Sequence, residues 1–466
     1  MGDDDVFAWM LHKREKGKNE KIGKTIGVYS VCSANSFVLE ATLDHAAEEG
    51  APVLIETTSN QVNQQGGYTG MTPEDFIRFI RGIAVNCGFP IERIILGGDH
   101  LGPLLWQDKP EAEAMRLGEE LVSAYVAAGF TKIHLDASMR LADDPPDLED
   151  EVIAVRTARL CVASEESFRR YRLPKDADST PPVYVVGSEV PASGGDQENI
   201  RKDQREGSAL CPICSTSPLA FLTSYAAFQR AFEAAGLADA MKRVVAFIVQ
   251  PGMAFTGDKI FDYDRNAAAA LCAALSEVGQ PLVFEGHSTD YQTPEALAML
   301  VEDGVAILKV GPALTFALRE GLFALEAIER ELIADGTPGL SDLSLSRFSE
   351  TLEAAMLRDD RYWRNHYRRE DGPERLRFQM RYSFFDRARY YLPLPEVEFS
   401  LQTLLRNLER TGLPLPLLSQ YLPRTFERAR RGLLGSGSAA LTPRNVLKDC
   451  VRHCLRGYST AAKPYS

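Results

Sequence analysis

The chain has 466 residues, of which 45% are hydrophobic and 25% are charged, and these fractions are close to the averages of globular proteins. This composition excludes a disordered, collagen-like or disulfide-scaffold protein, and the length suits roughly two to three average domains or one large α/β barrel with an added region. Its 65 acidic and 52 basic side chains give a net charge of −13, which argues against a nucleic-acid partner, because nucleic-acid binding needs a basic face.

Residues 1–5 are acidic and lack the basic and apolar regions of a secretory signal, and the apolar runs along the chain are strand-sized. We therefore expect a cytoplasmic protein with no membrane partner. The 8 scattered cysteines fit reduced thiols better than a disulfide framework. Only Cys211 and Cys214 have metal-ligand spacing, and the absence of a second such pair nearby disfavours a zinc knuckle.

Short β-rich apolar segments recur along the chain, and each is followed by a helical pattern. The predicted strands are residues 25–34, 51–60, 93–103, 132–139, 182–191, 244–252, 281–291 and 305–315. Amphipathic helices are predicted between them, for example at residues 37–49, 111–128, 219–235 and 294–302. Thr72 and Thr293 each precede a proline, which indicates a helix N-cap followed by the first helical residue. Eight βα units with strands buried on both faces predict a (β/α)8 TIM barrel over residues 1–334.

The alternative architecture is an open doubly wound sheet. It is disfavoured because residues 33–36, after the first strand, read Ser-Ala-Asn-Ser rather than a glycine-rich dinucleotide-binding turn. Residues 17–25 look like the phosphate-binding loop of a kinase, but this segment precedes its strand and has too many residues between its glycines. Residues 432–437 also lack a preceding strand. The sequence therefore predicts no nucleotide cofactor.

Beyond residue 334 the β pattern stops, and helices are predicted at residues 340–357, 375–391 and 397–410. We predict that residues 335–466 form a mostly helical region that packs on the barrel or lies at an interface. This region is rich in arginine and aromatic residues, among them Tyr362, Trp363, Tyr367, Tyr390 and Tyr391. Such side chains suit either a packed cap or the surface that joins a homo- or hetero-oligomer.

Barrel enzymes carry their chemistry at the carboxyl ends of the strands, and polar residues are concentrated at these ends here. The candidate catalytic residues are Asp99, Asp136 and Glu189, the candidate metal ligands are His100, Glu189 and His287, and the candidate substrate-binding residues are Glu56, Asn60, Ser138, Gln250, Glu285, Ser288 and Lys309. His134, Asp136 and Ser138 share one parity on the fourth strand, which predicts that they point into the barrel.

Several carboxylates converge at these strand ends, with Lys309 as the only nearby cation that we expect, and burying them unpaired would be costly. A divalent cation would remove this cost, and the mixture of imidazole and carboxylate suits Zn²⁺ or Mn²⁺. The alternative is a hydrogen-bonded polar network without a metal. Asp99 could move a proton as a general acid or base, or could instead orient a histidine.

Two loop features bear on substrate binding. The long segment 189–218 follows a strand end, where long loops are usually lids. Backbone N–H groups at residues 286–289 and 311–312, after the seventh and eighth strands, are expected to hold a phosphate together with a helix N-terminus.

Several ordered motifs carry a family resemblance. They are GVYSVCSA at residues 27–34, ETTSNQVN at 56–63, GDHLGP at 98–103, HLDAS at 134–138, GSEVP at 187–191 and EGHSTDYQ at 285–292. Together they resemble the GatZ/KbaZ family, the subunit family of D-tagatose-1,6-bisphosphate aldolase. The resemblance extends over nearly the whole chain, through PLPLLSQYL at residues 414–422.

The resemblance implies a barrel similar to that of the class II, metal-dependent aldolases. In it, Asp99 and His100 look like the acid and metal-ligand pair of those enzymes, and His287 resembles a further metal ligand. Gly286-His287-Ser288 departs from the glycine-glycine-serine run of the aldolases.

Three functions are compatible with the resemblance. The first is a subunit of D-tagatose-1,6-bisphosphate aldolase in galactitol- and tagatose-type carbohydrate catabolism, which supports a separate class II catalytic subunit. The second is an independent metal-dependent epimerase or aldolase that acts on a ketose or ketose phosphate through Asp99, His100 and His287. The third is the tagatose-6-phosphate kinase activity with which the family has also been labelled.

Overall fold

The computed structural model describes residues 6–16, 26–176, 179–188, 215–333, 343–434 and 441–462. Eight parallel strands close into a barrel in the order β1-β10-β9-β6-β5-β4-β3-β2. These strands are β1 Val28–Cys32, β2 Val53–Thr58, β3 Ile94–Leu101, β4 Lys132–Leu135, β5 Val183–Val186, β6 Val244–Ile248, β9 Val283–Gly286 and β10 Val305–Val310. The predicted barrel is confirmed, and each predicted strand segment contains one barrel strand. Two further strands, β7 Ala254–Phe255 and β8 Ile260–Phe261, form an antiparallel hairpin that we did not predict.

The helices around the barrel are α2 Ser36–Glu49, α3 Pro73–Cys87, α4 Glu111–Ala128, α5 Asp150–Ser167, α6 Pro218–Ala234, α7 Ala238–Met241, α8 Arg265–Ala274, α9 Pro294–Glu302 and α10 Pro312–Leu332, preceded by α1 Val6–Lys16. The C-terminal helices are α11 Phe348–Arg358, α12 Pro373–Tyr382, α13 Pro395–Thr411, α14 Leu415–Tyr421, α15 Pro423–Arg430 and α16 Pro443–Ala462. Both predicted N-caps are present, since Thr72 accepts a hydrogen bond from Asp75 N and Thr293 accepts one from Ala296 N. Within the described residues, no helix combines the length and the apolar character that a membrane crossing would require.

The N-terminal helix α1 closes one end of the barrel interior. Its buried residues Val6, Phe7 and Met10 belong to a cluster with apolar residues from the strands, including Val28 and Leu54. These strand residues lie near the amino ends of β1 and β2, so α1 covers the end of the barrel opposite the carboxyl ends. The carboxyl ends of the strands lie at the end of the barrel that α1 does not cover.

The C-terminal helices pack on the barrel's outer helices. The last helix, α16, lies against α2, α9 and α10. Gly27 N donates a hydrogen bond to Ala462 O at 2.8 Å, and His45 Nε2 lies 3.0 Å from Ser459 Oγ. The end of the chain is therefore built into the barrel wall.

The helix predicted at residues 375–391 ends earlier than expected, at Tyr382. Asp386 adopts a left-handed conformation with a φ of 45°, which a continuous helix does not allow. Its carboxylate accepts hydrogen bonds from Thr315 Oγ1 at 2.6 Å and Arg319 Nε at 2.8 Å, both on α10. The following 3-10 turn, Arg387–Tyr390, is thereby fastened to α10 and reaches the carboxyl end of the barrel.

Candidate active site

Asp99 and His100 are adjacent on β3, and a regular strand would point them to opposite faces. The pairing of β3 with β4 shifts in register between Gly98 and Leu101, and His100 has a φ of 50°. This irregularity turns both side chains toward the barrel interior, where each residue is 3% exposed. Ser288, which follows β9, is also left-handed, with a φ of 57°. Backbone strain of this kind is concentrated at functional sites.

Four side chains form a compact cluster at the carboxyl ends of β3, β4 and β9. Asp99, His100, His134 and His287 are buried, and each offers a ligand atom within 4.8 Å of the others. The ring centroids are 4.9 Å apart for His100 and His134, 4.8 Å for His100 and His287, and 5.1 Å for His134 and His287. The structure therefore brings together the predicted pair His100 and His287, and adds His134, which we expected only to point inward.

Each imidazole has a carboxylate oxygen close to one ring nitrogen. The distances are 2.9 Å from Asp136 Oδ2 to His100 Nδ1, 2.9 Å from Asp99 Oδ1 to His134 Nδ1, and 3.0 Å from Glu285 Oε1 to His287 Nε2. Ser138 donates to Asp136 Oδ1 through its backbone N at 3.0 Å and its Oγ at 2.7 Å. Asp136 and Ser138 thus act on the orientation of His100, which is the arrangement that fixes the tautomer of metal-binding histidines.

A second lysine joins Lys309 among these carboxylates. Lys132 Nζ lies 2.5 Å from Glu56 Oε1 and 2.5 Å from Glu285 Oε2. Lys309 Nζ contacts Glu56 and lies 2.5 Å from Asp99 Oδ1 and 3.3 Å from Glu285 Oε1. The expectation that Lys309 would be the only cation here was wrong. Lys132 has the same strand parity as His134, and this was the signal that could have identified it.

These contacts set the charge states of the site. Burial would raise the pKa of Asp99, but Lys309 and His100 hold it well below its ordinary value. The pKa of Glu285 is likewise held well below its ordinary value, because Lys132 and Lys309 outweigh burial. Burial would lower the pKa of Lys309, but Asp99, Glu285 and Glu56 raise it well above its ordinary value. Two carboxylates and one ammonium are therefore ionised at neutral pH, which makes Lys309 unsuited to Schiff-base formation.

The cluster has the features that a divalent cation requires. His134 Nε2 is buried and has no hydrogen-bond partner within the described part of the chain. Burial lowers the pKa of His134, and burial lowers the pKa of His287 to about 3, so both imidazoles are neutral. A metal at His134 Nε2 requires the tautomer in which Nδ1 carries the proton and donates to Asp99 Oδ1. A cation would occupy the orphaned nitrogen beside the carboxylates of Asp99, Asp136 and Glu285, whose pKa values lie below their ordinary values.

A pocket opens from the cluster to the surface at the barrel mouth. Asp99, His100, His287 and Lys309 form part of its wall, together with the predicted residues Asn60 and Ser288. Glu56 and Glu285 are fully buried and contact the two lysines.

Three predicted residues lie elsewhere or are not covered. Ser138 and Gln250 do not line the part of this pocket that the described residues form. The Gln250 side chain instead accepts a hydrogen bond from Gly252 N at 2.9 Å. Glu189 lies outside the described residues, as do Cys211 and Cys214, residues 17–25 and most of the segment 189–218.

The predicted phosphate position at residues 311–312 was wrong. Gly311 N and Ala313 N, at the start of α10, donate to Asp290 Oδ1 at 3.0 and 2.8 Å. Asp290 is buried, and burial raises its pKa to about 6. The helix N-terminus is therefore capped by a carboxylate of the chain itself. The pattern of residues 311–312 could not reveal this, because the capping residue follows a different strand.

Arg389 and Tyr390 also line the pocket, and we did not predict them. They lie in the C-terminal region, whose helical pattern indicates nothing about where it meets the barrel. The arginine and aromatic content of that region was the available signal, and it suited a core or an oligomer interface equally well.

Comparison with known proteins places these observations in a family. A family model described as D-tagatose-1,6-bisphosphate aldolase subunit GatZ/KbaZ-like matches residues 14–463. The crystal structure of a probable tagatose 6 phosphate kinase from Sinorhizobium meliloti 1021 is 40% identical, covers 93% of this chain and 100% of that chain, and has a TM-score of 0.80. A fructose-bisphosphate aldolase from Campylobacter jejuni is 13% identical, covers 88% of this chain and 93% of that chain, and has a TM-score of 0.45.

Proposed function

This chain belongs to the GatZ/KbaZ-like family of D-tagatose-1,6-bisphosphate aldolase subunits, and from that membership we propose that it carries out metal-dependent chemistry on a ketose or ketose phosphate of the tagatose type. The observation that carries the proposal is the complete donor set Asp99, His100, His134 and His287 beside an open pocket. Burying such a set is expensive, and a protein with only a structural role gains no stability from it.

In this proposal His100, His134 and His287 hold a divalent cation such as Zn²⁺ or Mn²⁺, with Asp136 and Glu285 orienting two of the rings. The cation, when bound, would polarise the carbonyl of the ketose and acidify its hydroxyl. Asp99 lies in the pocket wall and is placed to accept the proton of that hydroxyl. Aldol cleavage and epimerisation both begin with a proton transfer of this kind.

A second candidate is the support of a separate class II aldolase catalytic subunit, in galactitol- or tagatose-type catabolism. The family description names a subunit, and the C-terminal region exposes apolar side chains, with Phe378 at 45%, Tyr382 at 49% and Phe399 at 68%. Exposed aromatic residues are typical of surfaces that bind another protein. Kinase activity is not proposed, because its support is the name of the structural neighbour, and the described residues include no G-x-x-x-x-G-K-S/T loop between a strand and a helix.

Metal analysis of the purified chain, followed by turnover assays, tests the first candidate. We expect a bound divalent metal and turnover of D-tagatose 1,6-bisphosphate, D-tagatose 6-phosphate or free ketohexoses by the chain alone. The double variant His100→Ala with His287→Ala, and the single variant His134→Gln, should lose metal while keeping the fold. His12→Ala, on the exposed side of α1, is the matched control and should keep its metal.

The outcomes separate the two candidates. Unchanged metal content in the double variant would overturn the ligand assignment. A chain without metal and without turnover, even after metal is added, would exclude the first candidate. Stimulation of a class II aldolase catalytic subunit by this chain would then favour the supporting role.

A further inference from the structure

The 3-10 turn Arg387–Tyr390 carries two arginines that form no ion pair with an acidic side chain of the described residues. Arg389 lines the pocket, and its Nη1 donates to Phe385 O at 2.5 Å and Asp386 O at 3.0 Å. Its Nη2 donates to Tyr390 Oη at 3.3 Å. Among the described residues, no ion pair joins the Arg389 guanidinium to a carboxylate, although Asp386 and Asp290 interact with its charge through space. Its positive charge therefore lines the pocket without a directly paired carboxylate from the described chain.

Arg387 adds a second positive charge next to Arg389. It is 6% exposed, its Nη1 donates to Tyr390 Oη at 3.1 Å, and its Nη2 contacts the ring of His366. Its Nε is buried and has no hydrogen-bond partner in the part of the chain that the structure describes. Two guanidinium groups thus share one phenol. Burial would raise the pKa of Tyr390, but Arg389 and Arg387 lower it below its ordinary value.

Arg387 is buried and Arg389 is half-buried, and two like charges so placed around one hydroxyl are unfavourable unless an anion joins them. The nearby carboxylate of Asp386 is already bound by Thr315 and Arg319, so it is engaged on α10. Asp290 also lines the pocket, and its carboxylate caps the N-terminus of α10. The backbone N–H groups of that helix end are therefore already bound, which leaves the Arg389 guanidinium as the group in the pocket wall that a phosphate can pair with.

We propose that Arg389, supported by Arg387 and Tyr390, binds the terminal phosphate of a ketose monophosphate whose carbonyl and hydroxyl groups reach Asp99 and His287 in the same pocket. The guanidinium fork suits phosphate oxygens, and the Tyr390 hydroxyl supplies a further polar contact. This inference rests on the proposed function and adds to it the number of phosphates. Among the residues that the structure describes, Arg389 is the one guanidinium that lines the pocket, so we assign one phosphate position and expect a monophosphate to bind more tightly than a bisphosphate.

Ligand-induced thermal stabilisation of the purified full chain measures this binding without requiring turnover. The probes are D-tagatose 6-phosphate, D-tagatose and D-tagatose 1,6-bisphosphate, each titrated to give a Kd. For the unmodified chain we expect the monophosphate to bind at least about 10-fold more tightly than the free sugar, as a charge-assisted contact predicts. Equal affinities for the monophosphate and the free sugar would overturn the proposal, as would tighter binding of the bisphosphate.

Variants of the turn assign the effect to its residues. Arg389→Ala should raise the Kd of the monophosphate by about 10- to 100-fold, with a much smaller effect on the free sugar. Arg389→Lys should fall in between, because it keeps the charge and loses the fork. Arg364→Ala, exposed in the same region, is the matched control. An unchanged Kd in Arg389→Ala, or a loss of equal size for both sugars, would refute the assignment.

Two further results distinguish loss of the anion site from a failure to fold and from failure of the proposed function. If Arg389→Ala does not fold, Tyr390→Phe removes only the shared hydroxyl and should still weaken monophosphate binding by about 3- to 10-fold, and full affinity in that variant would count against the site. Binding of the monophosphate that depends on Arg389 in a chain without turnover would retain the anion site and reject the proposed function. Turnover that does not depend on Arg389 would support the proposed function and reject the anion site.

Discussion

Buried lysines and carboxylates pair with one another inside the barrel. Lys132 is fully buried and lies between Glu56 and Glu285, while Lys309 joins Glu56, Glu285 and Asp99. The two lysines hold the pKa of Glu285 below its ordinary value against the effect of burial, and Lys309 does the same for Asp99, whereas burial raises the pKa of Glu56. Gly97 serves the same arrangement, because a Cβ at this position would lie 2.7 Å from Cγ of Glu56 and would displace that carboxylate.

Replacing Lys132 by methionine should therefore destabilise the protein strongly. The substitution leaves Glu56 and Glu285 without the ammonium between them, and breaking a buried pair in this way removes about 3–5 kcal/mol from the free energy of unfolding. Urea denaturation at neutral pH measures the loss. Lys109→Met, which breaks an exposed pair with Glu113, should change the stability by less than about 1 kcal/mol. Comparable stabilities for the two variants would contradict this account of the interior.

At the scale of elements, two helices outside the repeating βα pattern complete the barrel. The first, α1, packs Met10 and Phe7 against the strands at the barrel's amino end. The last, α16, packs against α2 and α10. Both ends of the described chain therefore contribute to the core that the eight repeats build.

Met10→Ala tests the role of α1. Met10 is fully buried, so its truncation should lower the free energy of unfolding by about 2–5 kcal/mol through lost burial and the cavity left behind. Lys13→Ala, at an exposed position of the same helix, should have little effect on the urea midpoint. If both variants unfold at the midpoint of the unmodified protein, α1 does not contribute to the barrel's stability.

The contact between α2 and α16 predicts a pH dependence. His45 lies 3.0 Å from Ser459 Oγ, and burial lowers its pKa from 6.5 to about 4, with Glu49 opposing the shift. The unfolded chain therefore binds a proton at a higher pH than the folded chain does. Stability is retained above pH 6.5 and is lost as the pH falls from 6.5 toward 4.

Between pH 7.5 and pH 5 the His45 contribution amounts to about 2 kcal/mol. Urea unfolding of the unmodified protein and of His45→Gln at both pH values measures it. The variant should lose less stability on acidification than the unmodified protein, and equal losses would show that His45 is not the group responsible.

At the scale of the whole molecule, the C-terminal region belongs both to the core and to the candidate site. Arg319 on α10 holds Asp386 through a buried pair at 2.8 Å, and Thr315 adds a hydrogen bond at 2.6 Å to the same carboxylate. The turn that follows places Arg389 and Tyr390 in the wall of the barrel pocket. A region that the sequence pattern separates from the barrel therefore completes the barrel's mouth.

Arg319→Met should lower both the stability of the protein and its affinity for D-tagatose 6-phosphate. It leaves Asp386 buried without its partner, so we expect a loss of about 3–5 kcal/mol in the free energy of unfolding. The displaced turn should also weaken the binding of D-tagatose 6-phosphate, measured by thermal stabilisation below the melting temperature of the variant. Arg330→Met, on the exposed side of the same helix, is the control. Full ligand affinity in Arg319→Met would show that ligand binding does not depend on the pairing of Arg319 with Asp386.

The sequence by itself determined the eight barrel strands, the main outer helices, the caps at Thr72 and Thr293, and the inward polar residues at the strand ends. These features follow from local periodicity, since strand parity and helix-capping patterns are set by residues a few positions apart. The resemblance carried by the ordered motifs also identified the family. The strand-end pattern and this resemblance both predicted Asp99, His100 and His287 as site residues, and the structure places the three side chains together.

Only the tertiary structure decided how the buried charges are compensated and which residues close the pocket. Lys309 reaches Glu56 across 253 positions of the chain, and the Arg387–Tyr390 turn depends on the pairing of Arg319 with Asp386. The bulge that turns Asp99 and His100 to the same side arises from the pairing of β3 with β4. Such contacts join residues that are distant in the chain, so their distances and charge states are settled by the closed fold and leave no periodic trace in the sequence.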